Sequence, residues 1–127
     1  MDSVSLVILL VIAVVLGIQL RPFLGAWRMR GSEAPDPGGP AGAPSPRLVY
    51  FWSPSCSMCK GMSRVIDELR EEHPEIRSVD VTREPEIARE YGVMATPTLV
   101  VIREGKVEKV LLGARGRRQI EALLEAS

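Results

Sequence analysis

Leu48-Val49-Tyr50-Phe51-Trp52, followed by Ser53-Pro54-Ser55-Cys56-Ser57-Met58-Cys59, is the stretch whose reading decides the fold. Its first five residues form an unbroken apolar and aromatic run, the pattern of a buried strand. Ser53-Pro54-Ser55 turns the chain, and Ser55 stands as a candidate helix N-cap. Met58, Met62, Val65, Ile66 and Leu69 then recur at helical spacing. The helix is expected to stop near His73, because Pro74 disfavours helical geometry in the residue before it.

Downstream the patterns stay regular. Ile76 to Val81 reads as a second strand. Pro85 suits the first position of a short helix, with Ile87 and Tyr91 on its inner face and Gly92 at its end. Thr98 to Ile102 is a third strand, Glu104-Gly105 a tight turn, and Lys106 to Leu112 a fourth strand closing a hairpin. Gly113 breaks that pattern, and a last helix runs to about Glu125 with Ile120, Leu123 and Leu124 inward. A strand-helix-strand unit implies parallel pairing, and the closing hairpin adds antiparallel strands. The expected fold class is α/β: a mixed four-stranded sheet flanked by helices.

Upstream the chain changes character twice. Val4 to Leu20 carries no charge and is apolar on every side, near the lower end of the length that spans a bilayer. Arg21 and Pro22 are expected to end it, and Phe23 and Trp27 follow where interfacial aromatics sit. Met1-Asp2-Ser3 lacks the basic start of a cleavable signal peptide, and no small-residue cleavage site follows Leu20. Gly31 to Pro46, GSEAPDPGGPAGAPSP, has no hydrophobic periodicity and reads as a spacer. The expected organisation is therefore a membrane anchor over 1–24, a Pro/Gly-rich linker over 25–46 and a folded domain over 47–127. Arg21, Arg28 and Arg30 on the domain side of the anchor place the domain in the cytoplasm by the positive-inside rule, the alternative being a periplasmic or other extracytoplasmic domain.

Composition excludes several functions. The chain of 127 residues has 16 Lys+Arg against 16 Asp+Glu, so no net positive charge points to nucleic acid. The 2 cysteines sit too close to staple distant parts of a fold, and with the single His73 far along the chain they fall short of the roughly four ligands of a closed zinc site. A zinc site shared between two chains remains open at this point, as does a small buried thiol pair without redox work. His73 reads as a helix-end residue. Lys60 and Arg64 read as a solvated helix face, and Arg115, Arg117 and Arg118 as exposed surface with attraction to lipid as the alternative.

Phe51-Trp52 leading into Cys56-x-x-Cys59, then Glu90-Tyr91-Gly92-Val93, Ala95-Thr96-Pro97-Thr98-Leu99, Glu104-Gly105-Lys106 and Gly113-Ala114, resembles the thioredoxin family from about Arg47 to Ser127. The opening strand and helix of the full fold are missing, which implies its minimal four-stranded form beside a separate transmembrane helix. The resemblance implies a thiol–disulfide oxidoreductase that needs no cofactor. A cysteine in the first helical turn has its thiolate stabilised by unpaired backbone N–H groups and the helix dipole, which makes Cys56 the expected nucleophile. Cys59, on the neighbouring helical face, then attacks the mixed disulfide and releases the product. The resemblance also implies a cis Thr96-Pro97 bond, with Thr96 and Pro97 forming a substrate-binding ledge beside the redox disulfide Cys56–Cys59. Implied partners are protein thiols or disulfides, an upstream redox partner and the membrane, with the protein acting as a monomer. Three features depart from the family pattern: Ser55-Cys56-Ser57-Met58-Cys59 replaces Trp-Cys-Gly-Pro-Cys, Tyr50 stands where a buried aspartate is usual, and Ser78 stands where its lysine partner would be. These departures imply a specialised redox site. A reading from another class is a non-catalytic module that holds an extended peptide on the Thr96-Pro97 ledge.

Overall fold

The structure is a computed structural model and describes residues 2–39, 42 and 44–125. Its elements are α1 (Ser3–Met29), β1 (Leu48–Trp52), α2 (Cys59–Glu72), β2 (Ile76–Asp80), α3 (Pro85–Glu90), β3 (Thr98–Arg103), β4 (Lys106–Leu112) and α4 (Arg117–Glu125). The strands form one sheet in the order β2-β1-β3-β4. β1 pairs parallel with β2 and antiparallel with β3, and β3 pairs antiparallel with β4. Glu104 and Gly105 both take positive φ, 54° and 76°, in the turn between β3 and β4, a geometry whose twist suits a two-residue hairpin.

Successive residues of β1 point to opposite faces, and the core divides accordingly. Leu48 and Tyr50 join Met62, Ile66 and Leu69 of α2 and Ile120 and Leu124 of α4. Val49 and Phe51 join Ala88, Tyr91 and Val107 on the other face. Leu48 to Phe51 are all at most 1% exposed, so the strand that precedes the cysteines is the most enclosed part of the domain.

Three expectations are corrected. The apolar helix does not end at Arg21-Pro22 but continues through Pro22 to Met29. A proline removes one N–H···O bond, and the turns on either side keep theirs. The stretch Ser3–Leu24 is long and apolar enough to cross a membrane, and none of its most apolar window is buried against the rest of the chain.

The second correction concerns α2, which starts at Cys59 rather than near Ser55. Cys56 N–H donates to Ser53 O at 3.2 Å, Cys59 N–H to Cys56 O at 3.2 Å and Lys60 N–H to Ser57 O at 3.4 Å. This tight three-residue bonding forms a lead-in turn before regular helical bonding begins. Met58 takes the cap position with no side-chain hydrogen bond, and the Ser55 hydroxyl instead lies 3.5 Å from that of Ser53.

The third concerns Gly31 to Pro46, whose described residues are held against the domain. Ser32 O accepts from Val107 N–H at 2.9 Å, and Glu33 bridges to Lys106 on the outer edge of β4. Pro35 O then accepts from the Tyr91 hydroxyl, Pro37 is buried, and Pro44 O accepts from Arg77 on β2. Composition alone hides this because the bonds are made by backbone carbonyls and N–H groups, which every residue type except proline supplies in full.

Candidate active site

β1 ends at Trp52, and the paired cysteines follow directly at that end of the sheet. Cys56 and Cys59 are joined as a disulfide, with Cα atoms 5.3 Å apart. The two sulfurs differ in environment. Cys59 opens α2 and is 2% exposed, whereas Cys56 sits in the lead-in turn and is partly exposed. A small cavity of about 160 Å³ lies beside them, lined by Trp52, Ser53, Pro54, Cys56, Cys59, Lys60 and Ser63.

Thr96 and Pro97 reach the same end through strand register. Phe51 pairs with Thr98, and Thr98 pairs with Leu112. The residues that follow Phe51 and precede Thr98 therefore leave the sheet together. The Thr96-Pro97 bond is cis. Pro97 is buried, Thr96 is partly exposed, and Pro97 O accepts from Gly113 N–H at 2.9 Å, which ties the end of β4 to this loop. The Thr98 hydroxyl donates to Ala95 O at 2.7 Å and closes the turn around the proline.

Tyr50 is wholly buried, and its hydroxyl donates to Cys59 O at 3.2 Å. The same oxygen lies 2.8 Å from the Ser63 hydroxyl. Since the phenol proton is directed at Cys59 O, Ser63 is the donor to Tyr50. Burial pushes the Tyr50 pKa above its ordinary value, partly offset by the Ser63 bond. Tyr50 also pairs across the sheet with Ser78, so two of the three departures from the family pattern are neighbours. Ser63 was not singled out in sequence. Its spacing of four from Cys59, one helical turn further on, was the available signal. Met94 was missed too. It is 59% exposed, close to the 57% of Met58, and lies two residues before Thr96.

The thioredoxin family model matches residues 42–126. A thioredoxin of Alicyclobacillus acidocaldarius is 34% identical over 82 residues, which are 62% of this chain and 78% of that protein. A thioredoxin of Bacillus subtilis is 35% identical over 80 residues, 61% of this chain and 77% of the relative. A solved structure described as that of a malarial protein superposes with a TM-score of 0.55 at 21% identity, covering 62% of this chain and 92% of that one, and shows the shared fold.

Proposed function

This chain belongs to the thioredoxin family and is a thiol–disulfide oxidoreductase, and on that premise we propose that it works from a membrane, with Cys56 as the attacked and attacking sulfur and Cys59 as the resolving one. The observation that carries the assignment is the unequal exposure of the disulfide. Only the Cys56 side is partly open, while Cys59 is 2% exposed. A substrate thiolate reaches Cys56, forms a bond to its sulfur and breaks the Cys56–Cys59 bond, and Cys59 leaves as a thiolate. A second substrate thiolate then attacks its own sulfur in the mixed disulfide and expels Cys56. The substrate has lost two electrons to the pair, and the two released thiolates take up protons from solvent. Run in reverse, the same steps reduce a substrate disulfide, with Cys59 attacking the mixed disulfide. A dithiol or disulfide redox partner restores the starting state, and no cofactor enters the cycle. Thr96 and Pro97 supply the ledge on which an extended substrate lies, and the protein acts as a monomer.

Residues 1–24 are the anchor in this reading, 25–46 the connection, which begins with the last turn of α1, and 47–127 the catalytic domain. The exposed apolar surface of α1 supports the anchor, and Arg21, Arg28 and Arg30, which follow the uncharged run Val4 to Leu20 on the domain side, support a cytoplasmic domain. Three experiments test the proposal. Cys59→Ser should accumulate mixed disulfides with protein partners, and Cys56→Ser should abolish both exchange and trapping; full activity of Cys56→Ser would overturn the assignment and leave the peptide-holding reading. The full chain should stay in the membrane pellet after alkaline carbonate washing, and a membrane-impermeant thiol reagent should fail to label the reduced cysteines in intact cells. Labelling from outside would place the domain on the extracytoplasmic side.

A further inference from the structure

The path of α1 along β4 sets which end of the sheet meets the membrane. Gly31 N–H donates to Val107 O at 2.7 Å, Val107 N–H to Ser32 O at 2.9 Å, and Ala34 N–H to Gly105 O at 2.9 Å. These bonds run antiparallel to β4, so following the chain backwards from Ala34 climbs β4 toward Leu112. Phe23 and Trp27 of α1 and its C-cap Arg30 accordingly share a cleft with Val110, Leu111, Leu112 and Arg115. From Val107 to Leu112 the strand rises about 17 Å at roughly 3.3 Å per residue. A helix covers that distance in about eleven residues, which leads from Gly31 back to the neighbourhood of Leu20. The apolar stretch Ser3–Leu24 thus extends past the Leu112 end of the sheet. That is also the end where Trp52 leads into Cys56 and where Pro97 enters β3.

The surface at this end suits such a boundary. Outside α1, Met58 and Met94 are the large apolar side chains exposed among the described residues, at 57% and 59%. One lies between the cysteines and the other just before Thr96. Arg30 and Arg115 line the cleft with Trp27, and Arg118 follows in the first turn of α4. Arginines beside exposed apolar and aromatic side chains fit a headgroup layer better than bulk water.

We propose that the Cys56–Cys59 end of the sheet faces the bilayer that holds α1, and that its substrates are cysteine-bearing polypeptide segments lying at the membrane–water boundary. This rests on the redox and anchoring roles proposed above. The exchange is the one already written, with the thiols or disulfide of the membrane-proximal segment as the co-reactant. Met58 and Met94 receive the apolar flank of that segment, and the short junction at Gly31 to Ala34 keeps the site from swinging out to distant ones.

The test uses the full chain in vesicles containing anionic phospholipid. Two transmembrane peptides carry the same cysteine pair as a disulfide, one immediately outside the span and one beyond a flexible spacer of roughly twenty residues, whose reach is about 25 Å. Exchange with the proximal pair should be about tenfold faster, since both peptides share the membrane and differ only in how often the cysteines meet the site. In parallel, Trp27→Phe leaves Trp52 as the single tryptophan beside the cysteines. Its emission should be lost to nitroxide-labelled lipid headgroups, whereas a tryptophan introduced by Glu104→Trp, with Trp27 and Trp52 changed to Phe, should keep its emission at the far end of the sheet. Equal exchange with both peptides, or equal quenching at the two positions, overturns the orientation. Exchange with a small soluble disulfide separates the causes: if it persists, the orientation alone is wrong, and if it is absent as well, the redox role fails and the orientation with it.

Discussion

Tyr50 shows how one substitution changes the support of a redox site. A carboxylate at this position would carry a proton in and out near neutral pH, while a buried phenol holds its proton. Tyr50 donates that proton to Cys59 O and accepts from Ser63, and its pKa is raised by burial. It therefore stays neutral from pH 5 to pH 9, well below the ordinary tyrosine value of about 10. Tyr50→Phe should cost about 1–2 kcal/mol of stability, read by urea unfolding, through the lost bonds and the Ser63 hydroxyl left without its acceptor. The same variant should keep the shape of the pH–rate profile of exchange between pH 5 and 9. An altered apparent pKa in that profile would show that Tyr50 exchanges protons during turnover. The sequence comparison identified Tyr50 as a departure. The Ser63 partnership came only from the structure, because it depends on how α2 lies over β1 and not on either residue's type.

Among the elements, β1 and α2 follow the apolar periodicity closely, and the junction between them does not. Periodicity reports which side chains face the core, so it places Met62, Ile66 and Leu69 under α2 without locating the first helical hydrogen bond. The start at Cys59 depends on the Ser53-Pro54 turn and its bonding to Cys56, a matter of backbone geometry that boundary signals resolve poorly. α3 has a second function that its sequence hides. Tyr91, just after it, is 1% exposed, packs against Phe51 with ring centroids 5.3 Å apart, and donates its hydroxyl to Pro35 O at 2.5 Å. Burial, with Asp36 and Glu90 adding to it, pushes its pKa up to about 12. The folded state therefore holds this proton more tightly than the unfolded chain, whose tyrosine titrates near 10. The contribution is fully present below about pH 10 and is lost as pH rises toward about 12. Unfolding by urea at a series of alkaline pH values should show stability falling through that window, and Tyr91→Phe should make the fall shallower. An unchanged slope would mean that Tyr91 ionises as readily in the folded protein as in the unfolded one.

On the scale of the whole molecule, the segment between α1 and the domain does more than connect them. It pairs with the edge of β4, crosses the face that carries Tyr91, and reaches Arg77 on β2 at the other side of the sheet. Edge pairing of this kind covers a strand that would otherwise offer its N–H and C=O groups to another chain. Amide exchange gives a direct check: Gly31, Ala34 and Val107 N–H groups should be protected well above the rate of an open linker, and free exchange at all three would show that the segment does not dock. The residues by themselves determined a good deal of this protein. Burial of the unbroken apolar run of β1, helical spacing in α2, the Glu104-Gly105 turn and the order of the elements all follow from local apolar patterning and turn chemistry, and the uncharged run at the N-terminus marks a helix fit for a bilayer. The thioredoxin family assignment was likewise readable from the cysteine pair and the motifs downstream. Tertiary structure alone decided that Tyr50 and Ser63 meet beneath Cys59, that the Pro/Gly-rich segment lies on the sheet, and that α1 passes the end carrying Cys56 and Cys59. Each of these joins groups far apart in the chain through backbone hydrogen bonds or packing direction, and neither quantity is written in the type of any single residue.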